Sequence, residues 1–267
     1  LLLAVKKGRS DLVNILLDHG ANIHAKDKGN NTPVEVAMQL KTTEADAGDH
    51  AMEGTASELV QTLLDRTLLS TCTSYAGGAM VNVQGLLDSS ANIEAVDSAM
   101  QTPLLRAAQA GYMDMVHHLI VLGANVDAKS NVGQTCLMWC AVWDKVKAIP
   151  KLLSKGVDVN ARDSQGQSAL HFAVMHSRLP FAGALLDKGH ANIEAATNQG
   201  NTGLLLAIQK DNRKMVALFL KRRANVNAVA NHKTALLWSV GAGDHHIMGD
   251  LLKTAGTGQA NADVRDA

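Results

Sequence analysis

The residues best suited to chemistry in this chain are a pair of cysteines and two pairs of histidines. Cys136 and Cys140 are four residues apart, which places both thiols on one face of a helix, as two ligands of one metal ion require. No second cysteine or histidine pair lies near them in the sequence. The pattern therefore favours two packed thiols, and we predict no metal site.

The histidine pairs give no catalytic pattern either. His117 and His118 are adjacent, as are His245 and His246, so the side chains of each pair point about 100° apart on a helix. We predict that the first pair lies on a solvated surface. No serine–histidine–aspartate set, phosphate-binding loop or carboxylate pair stands out. We therefore predict that the chain is not an enzyme and needs no cofactor.

The charge balance narrows the classes of partner. The 267 residues carry 25 basic and 25 acidic side chains, so the chain lacks the positive charge with which proteins attract nucleic acid. No apolar run reaches the roughly 18 residues of a membrane span. We predict neither nucleic-acid binding nor membrane insertion. The three cysteines form no paired framework, which is typical of a reducing compartment, and we expect a cytoplasmic protein.

One short segment recurs along the chain. The helices that position the other residues are predicted to come after each of its copies. Its clearest copy is Gly-Ala-Asn-Val-Asp-Ala at residues 123–128. The alanine or valine that opens each copy stands at residues 91, 124, 157, 191 and 224, so the period is 33 or 34 residues. An earlier copy occupies residues 21–25, and a worn one occupies residues 262–264. A fixed period of this size indicates a repeat solenoid.

Each period carries the same succession of signals. A polar tip precedes a threonine or serine, whose hydroxyl is suited to capping the first turn of a helix. That helix is short, and a turn leads into a second helix, which a glycine such as Gly123 ends in the left-handed conformation. The sequence thus predicts an all-α chain of stacked helix–turn–helix units with short hairpin tips. The predicted caps are Thr32, Thr102, Thr135, Ser168, Thr202 and Thr234.

These signals resemble the ankyrin repeat family, most closely over residues 97–128. The Thr-Pro-Leu run at residues 102–104, the alanine pair at 107–108 and the segment 123–128 fall at the family's spacing. The resemblance covers residues 1–267 and implies a single ankyrin-repeat array of about eight units. The predicted repeats are 1–25, 26–66, 67–95, 96–128, 129–161, 162–195, 196–228 and 229–267.

The array departs from its period in three places. The first repeat starts inside its first helix, so we expect a segment of a longer protein. The polar residues 41–57 predict an inserted loop. The loop is either tolerated without a function or is a partner-contacting or phosphorylatable segment. Residues 59–64 then resemble a second helix and Thr67 a new first helix, so one hairpin tip is predicted to be missing. A short flexible insertion is predicted at residues 254–259.

Several single residues also depart from the expected types. Gly203 stands in the first turn of a helix, where glycine is less favourable than alanine by about 1 kcal/mol. Arg223 stands where the family places glycine, and we predict a left-handed backbone there that costs about 1 kcal/mol. Trp139 and Trp238 fall at core positions, where we predict that both are packed. The resemblance also implies that His171 hydrogen-bonds locally between neighbouring repeats.

The resemblance implies a non-catalytic scaffold that binds another protein through a concave face of hairpin tips and first helices. Trp143 falls at a variable position of that face, beside Met175 and His176 of the next repeat. Such a group is typical of interface hot spots. The alternative is that Trp143 folds down over the next repeat. The other candidate partner-binding residues are polar, namely Gln109, Asn131, Gln134, Ser164, Gln165, Asn198, Gln199, Gln209 and Lys210.

Other functions stay open from the sequence alone, because ankyrin arrays serve unrelated processes. The array could be the regulatory segment of a larger enzyme or channel, or a structural subunit of a multi-subunit assembly. Binding of a small molecule or nucleotide in the concave groove would need convergent charged and aromatic groups. The neutral amides at the tips argue against that kind of site.

Overall fold

Pairs of short helices joined by tight turns recur through the chain. The computed structural model describes residues 1–47, 53–73 and 79–255, and the chain forms two compact halves that divide after residue 124. The all-α repeat fold predicted from the sequence is confirmed. The N-terminal half holds α1 (Leu2–Lys6), α2 (Ser10–Asp18), α3 (Pro33–Ala47), α4 (Glu53–Thr71), α5 (Ala79–Asp88), α6 (Pro103–Gln109) and α7 (Met113–Val121).

The C-terminal half is the more regular of the two. Over its described residues, 125–255, four helix pairs follow the predicted order of first helix, turn and second helix, and a short antiparallel strand pair forms a hairpin tip. The helices are α8 (Cys136–Val142), α9 (Ile149–Ser154) preceded by a 3-10 turn (Val146–Ala148), α10 (Ala169–Met175), α11 (Leu179–Asp187), α12 (Gly203–Gln209), α13 (Arg213–Lys221), α14 (Ala235–Ala242) and α15 (His245–Ala255). The strands are β1 (Val229–Ala230) and β2 (Lys233–Thr234).

The first helices begin where the hydroxyl caps predict. Thr102 Oγ1 accepts a hydrogen bond from the Leu105 amide at 3.3 Å, and Pro103 occupies the first helical position, where its missing N–H costs nothing. Thr202 caps α12 in the same way and Thr234 caps α14. The caps fix the point at which each polar tip ends and each buried helix starts.

The core of each repeat is built from leucine and small residues at fixed positions. Leu137, Leu170 and Leu204 are equivalent residues of successive first helices, and each is 1% exposed. Three residues later come Cys140, Ala173 and Ala207, which are fully buried. Because these side chains are small, the backbones of neighbouring first helices can approach closely. The stacked first helices therefore bury one continuous apolar layer.

One side-chain oxygen links each loop to the next within the C-terminal half. The fourth residue of the recurring five-residue segment accepts a hydrogen bond from the backbone N–H of the second residue in the following copy. The pairs are Asp127 with Asp158 (2.8 Å), Asn160 with Asn192 (2.8 Å) and Glu194 with Asn225 (2.7 Å). Each loop is thus joined to its neighbour by a polar contact as well as by the core.

The prediction of an inserted loop at residues 41–57 is wrong where the structure describes it. Residues 41–47 continue α3, and residues 53–57 already belong to α4. In α3 the hydroxyls of Thr42 and Thr43 donate to the backbone carbonyls of Gln39 and Leu40. Residues 48–52, the middle of the predicted loop, lie outside the described residues, as do the predicted turn at 75–78 and the closing segment from residue 256 onward.

The predicted repeat boundary after residue 66 also fails, because α4 runs through it as one helix. Neither glycine nor proline interrupts residues 55–73, and apolar residues continue at helical spacing, from Leu59 through Leu63 to Leu68 and Cys72. The Thr67 hydroxyl, predicted to open a new helix, instead donates to the Leu63 carbonyl at 2.6 Å inside α4. A stretch of continuous helix therefore takes the place of the missing hairpin tip.

Candidate partner-binding surface

Three predicted binding residues end the first helices of successive repeats. Trp143 is the C-terminal cap of α8, His176 that of α10 and Lys210 that of α12. All three are exposed, and Trp143 is 44% exposed in spite of its size. We call the ends of these helices together with the hairpin tips of the C-terminal half the inner surface. A large aromatic side chain on a rigid helix end is well placed to anchor a partner.

The structure brings His176 close to two cations. Burial lowers the pKa of His176, and the charges of Arg178 and Lys210 lower it further. The imidazole is therefore held in its neutral form near physiological pH. Met175, one residue earlier, is half-buried, so this part of the inner surface combines thioether, neutral imidazole and positive charge.

Arg178 is a member of this group that the sequence did not reveal. Its Nε donates a hydrogen bond to the backbone carbonyl of Val142 at 2.9 Å, at the residue directly before Trp143. This contact ties the end of α8 to the start of α11 in the following repeat. The only signal in the sequence was a charge two residues after His176, and spacing alone does not show which carbonyl that charge reaches.

The hairpin tips form a backbone ladder. The Ser164 amide donates to the Val132 carbonyl and the Asn198 amide to the Gln165 carbonyl, each at 2.9 Å. Asn198 Nδ2 adds a bond of 2.9 Å to the Ser164 carbonyl. The side chains of Ser164, Gln165 and Asn198 are exposed, but that of Asn198 also holds two tips together.

The remaining predicted amides are partly engaged within their own repeats. Gln209 Nε2 donates to Asn201 Oδ1 at 2.8 Å, while Gln199 Oε1 accepts a longer bond of 3.5 Å from the amide of Asn201. Gln134 is half-buried, with its backbone N–H bonded to Ser130 Oγ at 3.1 Å. Asn131 is exposed. Gln109 is exposed at the end of α6 in the other half of the molecule, so it is not part of the inner surface defined here.

The buried titratable residues have structural roles. His171 is fully buried, and its Nδ1 accepts from the Ser168 amide at 3.1 Å, so Nε2 is the atom that donates to the Asn201 carbonyl of the next repeat at 3.2 Å. This confirms the predicted bond between repeats. Burial lowers the pKa of His171, because a charged imidazole would be poorly solvated there.

The cysteines are packed thiols, as predicted. Cys136 and Cys140 are fully buried and hydrogen-bond to each other, and this bond together with burial raises the pKa of Cys136. Burial raises the pKa of Cys72 to about 12. Within the described ranges, no group of three or more His, Cys, Asp or Glu side chains is arranged to hold a metal ion.

The predicted environment of the tryptophans and histidine pairs is only partly matched. Trp139 and Trp238 are half-buried, not fully packed, and Lys233 Nζ lies 5.4 Å from the ring centre of Trp238. His117 is exposed as predicted, whereas its neighbour His118 is half-buried. The core is filled instead by leucines and by Phe181 and Phe219.

Comparison with known families agrees with the repeat geometry. Models described as ankyrin repeats match residues 50–163, 104–197 and 149–230, and another ankyrin-repeat model matches residues 1–37. The chain therefore belongs to the ankyrin repeat family, whose members generally mediate protein–protein interaction and are generally non-catalytic. A search among curated proteins finds no match. Among the residues that the structure describes, no helix is both long and apolar enough to cross a membrane.

Proposed function

We propose that this protein is a non-catalytic scaffold that binds a protein partner through the inner surface, with Trp143 as its anchor. The observation that carries the proposal is the exposure of Trp143 on a helix end, with the neutral His176 on the equivalent helix end of the next repeat and the half-buried Met175 before it. Tryptophan is enriched at the centre of interfaces, where its large ring leaves water on binding.

The polar groups around this anchor favour a protein partner over a small ligand. The tips present exposed amides and a hydroxyl along a rigid backbone ladder, which suits the hydrogen bonds that surround an interface hot spot. Lys210 and Arg178 add positive charge around His176. We infer a partner that offers an apolar pocket for the indole and acceptor groups at its rim.

The test begins with capture of a partner by the intact chain, followed by affinity measurements on variants. Trp143→Ala should weaken binding by about 2 kcal/mol, or about 30-fold. The control is Val121→Ala, which removes an apolar side chain that is even more exposed, at 64%, from the second helix α7. Unchanged affinity for Trp143→Ala, or equal losses for both variants, would move the binding surface elsewhere.

We also propose that the protein works in a reducing compartment such as the cytoplasm. Support comes from its three cysteines, which are all buried and form no disulfide, as is usual for proteins of reducing compartments. Localisation of the tagged full-length protein in its own cells would test this. Recovery from a secreted or oxidising fraction would contradict it.

A further inference from the structure

A cavity of 290 Å³ lies in the N-terminal half beside the continuous helix α4. Its walls come from the end of α2 and the loop after it, from α4, from the tip that contains Asp97 and from α6. The lining residues are Leu17, Gly20, Ala21, Ile23, Arg66, Leu69, Ser70, Asp97 and Arg106.

Two arginines, each paired with an aspartate, supply hydrogen-bond donors to the cavity. Arg66 is held by Asp18, with Nη2 to Oδ1 at 2.7 Å, and Arg106 is held by Asp97, with Nη1 to Oδ2 at 2.9 Å. Each aspartate fixes one edge of a guanidinium that carries five N–H groups. Arg106 Nε is buried and has no hydrogen-bond partner among the described residues. That buried atom is out of reach of a ligand, but the side chains of Arg66 and Arg106 are 30% and 34% exposed, so the N–H groups that the aspartates leave free can meet an acceptor supplied by a ligand.

The lining offers more free donors than free acceptors. Asp97 is the one acidic residue among the lining residues, and its oxygens are already engaged, since Oδ1 accepts from the Ala99 and Gln101 amides while Oδ2 pairs with Arg106. The Ser70 hydroxyl, 3.1 Å from His24 Nε2, adds a neutral polar group. Asp18 pairs with the second guanidinium from outside the lining, so an anion is favoured by the excess of free N–H donors over free acceptors and not by a net charge.

The rest of the lining is apolar. Ile23 and Leu69 are almost fully buried, and Leu17 is half-buried beside them. A bare inorganic ion would leave this surface uncovered. A ligand that carries an anionic head and a short apolar stem would cover both parts, because the stem contacts the aliphatic side chains and the head meets the arginines.

We propose that this cavity binds a small organic oxyanion, a carboxylate or phosphate monoester with a short apolar stem. The guanidiniums of Arg66 and Arg106 hold the oxyanion, since the planar fork of arginine matches both groups in two-point contact. The site lies in the other half of the chain from Trp143, so it is independent of the protein-binding function proposed above.

The test is an amide chemical-shift titration of the full chain with inorganic phosphate, butyrate and n-butyl phosphate. We expect saturable shifts at Ser70, Asp97 and Arg106 with butyrate, n-butyl phosphate or both, and weaker binding of inorganic phosphate. Saturation by only one stem-carrying probe would identify the head group. Equal binding of inorganic and butyl phosphate would overturn the role of the apolar wall, and lack of saturation with all probes would overturn the site.

Variants separate this site from general attraction to positive charge. Arg106→Gln and Arg66→Gln should each weaken binding of the better probe at least tenfold. The matched control is Arg222→Gln, which removes an arginine paired with Asp187 at 2.7 Å in the C-terminal half. Equal weakening in the control would contradict the proposal. If Arg106→Gln fails to fold, Arg66→Gln decides alone, and its unchanged affinity would count against the site.

Discussion

Gly203 and Phe219 compete for one space: the phenyl ring of Phe219 lies where a Cβ on residue 203 would stand. Such a Cβ would be 2.6 Å from Phe219 Cε1 and closer still to Cζ. Phe219 is fully buried in α13, so the ring has little freedom to withdraw. Equivalent second-helix positions hold the smaller Leu152 and Leu185. The glycine is thus explained by packing against a large neighbour, despite its poor helix propensity.

Gly203→Ala should therefore destabilise the protein although alanine is the better helix former. We expect the free energy of unfolding to fall by about 1–3 kcal/mol through overpacking, more than the gain of about 1 kcal/mol in helix propensity. Urea unfolding followed by circular dichroism measures the change. The same substitution should cost at least about 1 kcal/mol less when it is made in the Phe219→Leu variant and compared with that variant alone. A stabilised Gly203→Ala protein would show that the ring moves aside easily.

Arg223 has the left-handed backbone that the sequence predicted, with φ of 58°. Arg223→Gly should raise the free energy of unfolding by up to about 1 kcal/mol, because glycine adopts this conformation without strain. Thermal and urea unfolding both report the change. Gly156, with φ of 78°, occupies the equivalent position two repeats earlier, and Gly156→Ala should lower stability by a similar amount. A loss of stability for Arg223→Gly would mean that the arginine side chain contributes more than its backbone costs.

Leu68→Pro tests whether α4 is one helix. In the repeat pattern, a proline after threonine starts a new helix, as Pro103 does after Thr102, and would be tolerated there. Inside a continuous helix it removes a hydrogen bond and should cost about 3 kcal/mol or more beyond the loss of the leucine. Leu68→Ala is the control for that loss, because Leu68 is fully buried. Equal stabilities of the two variants would restore the predicted repeat boundary.

His171 should make stability depend on pH below neutrality. Its pKa is lowered in the folded protein, so the unfolded chain binds the proton more readily. The contribution is fully present above the ordinary histidine pKa of about 6.5 and is lost as the pH falls from there towards the lowered value of the folded state. The slope for one proton is at most about 1.4 kcal/mol per pH unit.

A series of urea unfolding curves between pH 5 and pH 8 measures this slope. His171→Gln is the comparison, since glutamine at the third helical position can still accept from the Ser168 amide but does not titrate in this range. Its curve should be flatter than that of the parent by up to the slope of one proton, while His176 contributes equally to both. Parallel curves would show that the pKa of His171 is the same in the folded and unfolded states.

What the sequence predicted well depends on local signals. Thr102, Thr202 and Thr234 mark helix starts because a hydroxyl acts on amides three residues away, and the period of 33 or 34 aligns the buried leucines. The same local rule failed at Thr67, which has the right type but sits in a stretch without a helix breaker. There the continued apolar spacing of α4 decides the conformation.

What the sequence left out depends on contacts between repeats. Arg178 reaches the carbonyl of Val142, 36 residues earlier, and Gly203 is required by a ring 16 residues later. The cavity beside α4 brings Arg66 and Arg106 together from separate repeats. Such relationships depend on the way helices stack, and neither residue type nor period specifies them.

The oxygen that links neighbouring loops has a consequence for how freely these repeats can be exchanged. Asp127, Asn160 and Glu194 differ in charge and length, yet each supplies an acceptor to the next backbone N–H at 2.7–2.8 Å. In the N-terminal half, Asp65 on α4 serves the Asn92 amide in the same way at 2.7 Å, although no loop surrounds it. This contact between loops therefore requires an acceptor oxygen at that point but not a particular residue type. Repeats with different acceptor residues should therefore be interchangeable at these contacts, which leaves their exposed tips free to diverge towards different partners.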